Sequence, residues 1–321
     1  MSRLSYPSRP RVSYIMATKN HGAHLGKVLE NIREFIEPSD ELVIVDGGST
    51  DNTASVIANH RDIITMFISE PDHGEAHALN KAIFHSRGQY VKPVTDDDYL
   101  YPHAMRTLID VLDAHPEIDA IQCGGEVWDM RSKDPAYDGL RFLPKDVAAN
   151  PSTLFSNVLC GLGLIIRRSA MERIGGVSSN YRAVDADLMC RLIECGCNLR
   201  YLDIKLFRWH IYPHSGINES AKYTHDFALI NLRLGNLQTF MRHDPDTFLS
   251  LATSGAGTRD RALAYWIWFA SLLRRSPIWR IVFPLFWIAS QIVRLKRFFR
   301  VHAVNISNVP HRSHEWTGQL R

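Results

Sequence analysis

Apolar and polar positions alternate in blocks along the first hundred residues, and the spacing inside each block predicts its structure. Residues 11–17 form a short apolar run of strand character that ends in the polar Thr18-Lys19-Asn20. Residues 24–36 place Leu25, Val28, Leu29, Ile32 and Ile36 at helical spacing. A second strand over 41–45 closes on Asp46-Gly47-Gly48-Ser49-Thr50-Asp51-Asn52-Thr53, which leads into a helix over 54–60. Residues 63–68 read as a third strand, 76–85 as a helix, and 89–94 as a strand running into Thr95-Asp96-Asp97-Asp98. Strands alternating with helices predict an α/β fold with a mostly parallel sheet covered by helices. Ligands of such sheets bind beyond the carboxyl ends of the strands, where the three polar clusters fall.

The second half is less regular. Residues 150–168 are apolar around Gly161 and Gly163, and 169–174 form a short helix stopped by Gly175-Gly176. Residues 181–188 open another helix that runs to about Cys195, 200–209 is strand-like, and His210 and His214 follow in a polar loop. Two later runs, 262–273 and 281–293, are rich in Trp and Phe and bordered by Arg274, Arg275, Arg280, Arg294 and Arg297. Each is shorter than the roughly 20 apolar residues of a spanning helix. Aromatic residues beside basic ones suit an in-plane helix on an anionic membrane surface, with a buried hairpin or a dimer interface as the alternative.

Composition narrows the class. With 45% hydrophobic and 22% charged residues in 321, the chain reads as globular and not disordered. A net charge of +3 supplies no argument for nucleic acid as a partner. Cys123, Cys160, Cys190, Cys195 and Cys197 are odd in number and lack a C-x-x-C framework, so reduced thiols in a cytoplasmic protein are expected. Residues 1–10 are polar with Pro7 and Pro10, a lead-in and not a secretory leader.

The chemistry gathers at the aspartates. Three adjacent carboxylates raise one another's pKa, and a divalent cation removes that penalty. Asp96 and Asp98 could meet one ion such as Mg2+ or Mn2+, which favours oxygen ligands and shares its shell with phosphates. A solvated acidic turn is the plain alternative. Asp46 at its strand tip could accept hydrogen bonds from a base or ribose, and the glycines after it allow close ligand approach. A turn with a helix cap explains that segment equally well. The helix dipole accounts for one of Asp185 and Asp187 in a first turn.

Taken in order, these motifs resemble the nucleotide-sugar-dependent glycosyltransferases of family 2, which share the Rossmann-like GT-A fold. The matching residues run from Val43-Ile44-Val45-Asp46-Gly47-Gly48-Ser49 through Ser69-Glu70-Pro71-Asp72-His73-Gly74 and Ala78-Leu79-Asn80-Lys81-Ala82. They continue with Thr95-Asp96-Asp97-Asp98-Tyr99-Leu100-Tyr101-Pro102, Ile174-Gly175-Gly176 and Asp185-Ala186-Asp187-Leu188. The resemblance implies a GT-A catalytic domain over 11–225, split into a nucleotide-sugar half (11–102) and an acceptor half (103–225). A lead-in over 1–10 precedes it and a helical, membrane-associating region over 226–321 follows.

By position, the resemblance implies that Thr18, Asp46, Asp96 and Asp97 bind the donor. It implies that Asp96 and Asp98, with His210 as a further ligand, hold the metal, and that Asp185 is the catalytic base. Val184 stands where the family keeps the first acid of a pair. Lys205-Leu206-Phe207-Arg208-Trp209 matches the processive synthases' Q-x-x-R-W only superficially, so single addition is expected. The expected reaction is metal-dependent, inverting transfer from a UDP-sugar or related donor to a lipid-linked or saccharide acceptor, at the inner face of the membrane. A sugar-phosphate nucleotidyltransferase, or a non-catalytic membrane module on the same fold, are the competing readings.

Overall fold

A computed structural model of the chain describes residues 9–131, 136–141, 161–179, 182–213 and 301–303. His214, Cys160 and the aromatic runs 262–273 and 281–293 lie outside the described residues.

The first half follows the predicted alternation. It runs β1 (Val12–Thr18), α1 (Gly22–Arg33), β2 (Glu41–Asp46), α2 (Thr53–Ala58), β3 (Met66–Ser69), α3 (Glu75–His85) and β4 (Tyr90–Val94). All six β2 residues are buried, as an interior strand covered on both faces requires. The third strand starts three residues later than the apolar pattern suggested, at Met66.

Beyond the aspartates come β5 (Tyr99–Leu100), α4 (Pro102–Ala114), β6 (Ala120–Asp129) and β7 (Ala136–Arg141). A 3-10 turn (Gly161–Gly163) leads into β8 (Leu164–Arg167), α5 (Arg168–Ile174), α6 (Val184–Glu194), β9 (Leu199–Ile211) and β10 (Val301–Ala303). Pro102 at the first helical position and the buried stripe Ala104, Met105, Leu108, Ile109 and Leu112 account for α4.

Ten strands form one sheet among the described residues, eight of them in the order β10-β9-β6-β8-β4-β1-β2-β3, with β5 paired to β9 and β7 to β6 off that path. β3, β2, β1 and β4 are mutually parallel. β8 runs antiparallel between β4 and β6, so the sheet is mixed. β6 pairs in parallel with β9, and β5 pairs antiparallel with the far part of β9 through Tyr99↔Arg208 and Leu100↔Phe207. That pairing corrects one expectation: His210 lies inside β9, not in a loop.

Buried polar contacts fix the elements around the cleft. Asn31 of α1 and the Leu100 backbone exchange two hydrogen bonds, at 2.9 and 2.8 Å, which holds the segment after the aspartates. Lys92 is fully buried and donates to Leu162 O at 2.6 Å, anchoring the 3-10 turn beneath β4. Asn80 of α3 closes a reciprocal pair with Val177, 97 residues away, at 2.7 and 2.8 Å. Gly176 is required there: its φ is +78°, and a Cβ would stand 2.6 Å from Asn80 Oδ1.

Candidate active site

Two neighbouring strand ends form the first wall. Thr18 and Asp46 are register partners at the tips of β1 and β2, and both are buried. The Asp46 carboxylate accepts the Ser49 N–H at 3.0 and 3.2 Å and the Ser69 hydroxyl at 2.7 Å, and also accepts the Ser49 hydroxyl. It therefore shapes the glycine turn that follows. Asn20, in the left-handed region at φ 57°, cross-links the turns: its N–H donates to Ser49 Oγ (2.7 Å) and its Oδ1 accepts the Thr50 N–H (2.8 Å). A Cβ on Gly47 would lie 2.4 Å from Asp72 Oδ2, so the Asp72 side chain closes against this loop across a glycine. Thr18 Oγ1 is buried and has no hydrogen-bond partner among the described residues.

The aspartates separate by environment. Asp98 is buried, with Oδ1 accepting the His210 backbone N–H at 2.7 Å and Oδ2 accepting the Thr95 hydroxyl at 2.8 Å. Burial pushes its carboxyl well above the usual range, and the Asp97 charge adds to that. Asp97 is raised to about 6 by burial and then by Asp96. Asp96 faces His21, whose Nδ1 stands 3.1 Å from Asp96 Oδ1 and whose pKa is raised by that contact. His210 Nδ1 lies 2.9 Å from the Asp97 carbonyl oxygen. A carbonyl only accepts, so Nδ1 carries the proton and the neutral ring keeps its lone pair on Nε2. Burial lowers the His210 pKa and favours that neutral form.

Asp185 sits in the first turn of α6 and accepts the Gly161 N–H at 3.2 Å and the Ala186 N–H at 2.8 Å. Burial raises its carboxyl above the ordinary range, against the pull of those two N–H groups. Glu75, at the start of α3, keeps an exposed surface. Desolvation there, followed by the charges of Asp185, Asp96 and Asp97, pushes Glu75 up to about 7. The strand ends and two helix starts thus bring four carboxylates into one electrostatic neighbourhood. Among the described residues, no three His, Cys, Asp or Glu side chains form a metal cage by themselves.

Residues 13–175, about half of the chain, match the family model for glycosyl transferase family 2. The chain belongs to that family. This glycosyltransferase is 26% identical over 231 residues to EpsE of Bacillus subtilis, a glycosyltransferase by its assigned name, covering 70% of this chain and 81% of EpsE. It is 27% identical over 188 residues to a PGL/p-HBAD biosynthesis glycosyltransferase of Mycobacterium bovis, covering 56% of this chain and 70% of that protein. An uncharacterized glycosyltransferase of Rickettsia typhi aligns at 25% identity over 52% of this chain and 53% of its own length.

Solved structures show the same fold. TarS of S. aureus, in complex with UDP-GlcNAc, superposes with a TM-score of 0.56 at 16% identity, covering 90% of this chain and 89% of that one. The mannosyltransferase PcManGT of Pyrobaculum calidifontis, in complex with GDP-Man and Mn2+, gives 0.51 at 22% identity, covering 91% and 88%.

The glycosyltransferase's expected site residues converge on the carboxyl ends of the strands: Thr18 and Asp46 on one side, Asp96, Asp97, Asp98 and His210 in the middle, Asp185 beyond. Sequence reasoning missed Glu75 and His21. Glu75 directly follows the Asp72-His73-Gly74 turn, and the helix-starting glycine was the available signal. The Lys205–Trp209 run also has local work: Lys205 pairs with Glu126, and the Arg208 guanidinium lies 4.6 Å from the centre of the Trp128 ring. No helix among the described residues is long and apolar enough to cross a membrane.

Proposed function

We propose that this glycosyltransferase moves a sugar from a nucleoside-diphosphate sugar, a UDP-sugar by preference, to a lipid-linked or saccharide acceptor, with inversion and one addition per encounter. The observation that carries the reading is the His210 tautomer. With Nδ1–H donating to the Asp97 carbonyl and standing 3.9 Å from Asp98 Oδ1, the ring is fixed beside the aspartates and its lone pair is left on Nε2, the tautomer a metal-ligating histidine usually adopts.

The residues fit Mg2+ or Mn2+. The carboxyls of Asp97 and Asp98 are raised by burial and then by the neighbouring carboxylates, a penalty a cation would relieve, and among the described residues too few protein groups converge to complete a shell without donor oxygens. Asp96, Asp98 and His210 would hold the ion. When bound, it would offset charge developing on the leaving diphosphate. Asp46 and its turn would receive the base, with Thr18 Oγ1 supplying a buried polar contact and Asp96 and Asp97 bordering the diphosphate and sugar. Asp185, held by two backbone N–H groups, takes the proton of the acceptor hydroxyl, and its raised carboxyl makes it a stronger base.

In this reading residues 11–102 are the donor half and 103–225 the acceptor half. The aromatic runs near the C-terminus would place the enzyme peripherally on the inner, anionic face of a membrane. Thermal-shift screening of UDP-, GDP- and dTDP-sugars, with manganese and with chelator, tests the assignment. One donor class should stabilise the protein in manganese only; no response to any nucleotide sugar would overturn it.

A further inference from the structure

The amino ends of β1 and β4 form the pole opposite Asp46 and Asp96, roughly 20 Å away across the length of a seven-residue strand. An open recess of about 690 Å3 lies there, with Arg9, Phe84, Ser86, Arg87, Arg168 and Glu172 in its lining. Its volume falls in the range of small-molecule sites.

Arg168 is the unusual group. It is only 6% exposed, and its guanidinium donates to Gly88 O (3.0 Å), Ile83 O (3.2 Å), Ser13 Oγ (3.1 Å) and Ser86 Oγ (2.9 Å). All four acceptors are neutral. A buried arginine ordinarily meets a carboxylate. Among the described residues, Arg168, Arg9 and Arg87 make no ion pair, whereas the neighbouring Arg11 and Arg173 pair with aspartates. Arg9 Nε donates to Arg87 O at 2.8 Å, which ties the two exposed arginines to one rim. Three guanidinium groups stand against two carboxylates, Glu172 in the lining and the buried Glu41 behind Ser13, which leaves positive charge in excess at the recess. Burial and then the Arg9 charge lower the Arg168 pKa, with Glu41 and Glu172 pulling the other way. Phe84, 83% exposed, is the large apolar side chain at the edge.

We propose that this recess binds a soluble phosphorylated small molecule at a second site, separate from the donor cleft. Arg9 and Arg87 contact the phosphate, where arginine's planar fork matches phosphate oxygens two at a time. Arg168 supplies fixed positive potential from beneath, and Phe84 packs against the organic part of the ligand.

Calorimetry with inorganic pyrophosphate in chelator, on the full chain, tests this. Saturable binding is expected, weakened at least tenfold in Arg9→Ala/Arg87→Ala, whose exposed side chains are not needed for folding. Lack of saturable binding, or the same affinity in the double variant, overturns the proposal. Flotation with phosphatidic acid vesicles separates the source of the phosphate. Vesicle binding that needs Arg87 and Phe84 while pyrophosphate does not bind would replace the soluble ligand with a lipid headgroup and overturn the proposal as stated.

Discussion

Asp46→Asn isolates the part of the donor wall that the chain builds for itself. The carboxylate is 1% exposed and receives the Ser49 N–H, the Ser49 hydroxyl and the Ser69 hydroxyl. Hydrogen bonds to a charged group contribute about 1.5–3 kcal/mol each, neutral ones about 0.5–1.5. Asparagine keeps one acceptor oxygen but places an NH2 group where Oδ2 stood. The Ser69 hydroxyl can turn to accept from it, whereas the Ser49 N–H loses its 3.2 Å arm. Relief of burying a charge offsets part of the loss, so the expected net cost is about 2 kcal/mol. For a domain near 200 residues that lowers Tm by about 4–8 °C. Differential scanning fluorimetry of both proteins, with and without UDP, reads the effect. The variant should melt lower without ligand and also gain less from UDP, because the glycine turn it organises is proposed to receive the base. An unchanged Tm in the ligand-free variant would refute the account of Asp46 as the turn's organiser, whatever happened to nucleotide binding.

Three further outcomes are expected. Asp185→Asn should leave donor affinity near wild type and lower kcat by about 10²–10⁴-fold, measured by single-turnover transfer; loss of donor binding instead would make it a donor residue. Asn80→Ala removes both hydrogen bonds to Val177 and should cost about 1–3 kcal/mol in urea unfolding, with donor affinity unaffected; no loss would mean Gly176-Val177 is held by other contacts. Glu75, raised to about 7 when folded, adds stability at acid pH that fades as pH rises through that value, so wild-type Tm should fall more steeply than that of Glu75→Gln between pH 5 and 8. Parallel curves would contradict it.

What the sequence disclosed depended on how local each signal was. β2 is an unbroken buried run capped by an aspartate and two glycines, so strand, turn and candidate residue are visible together. β9 is different: Lys205, Arg208 and His210 interrupt its apolar positions, and its partner β6 lies about 80 residues earlier, so His210 read as a loop residue. β6 was obscured in the same way by Gln122, Gly124 and Gly125, although Gly125 is demanded by the Phe207 ring, 2.5 Å from where a Cβ would sit. Asn80 stands inside a family motif, but its task of holding Val177 appears only when residues 97 apart meet. Tyr99 and Leu100 after Asp98 carried no sequence signal of pairing with β9, the contact that sets His210 beside the aspartates.

The cleft is proposed to complete a metal's coordination with the diphosphate of its donor. Mn2+ titration followed by the electron paramagnetic resonance signal of the free aqua ion tests it most directly, since no acceptor need be known. With UDP or GDP present, the signal should fall as the protein takes up about one ion per chain. Uptake should be weak without nucleotide, because the described residues offer no complete cage, and should be lost in Asp98→Asn and in His210→Ala. Equal uptake with and without nucleotide, or full uptake in both variants, would contradict the account.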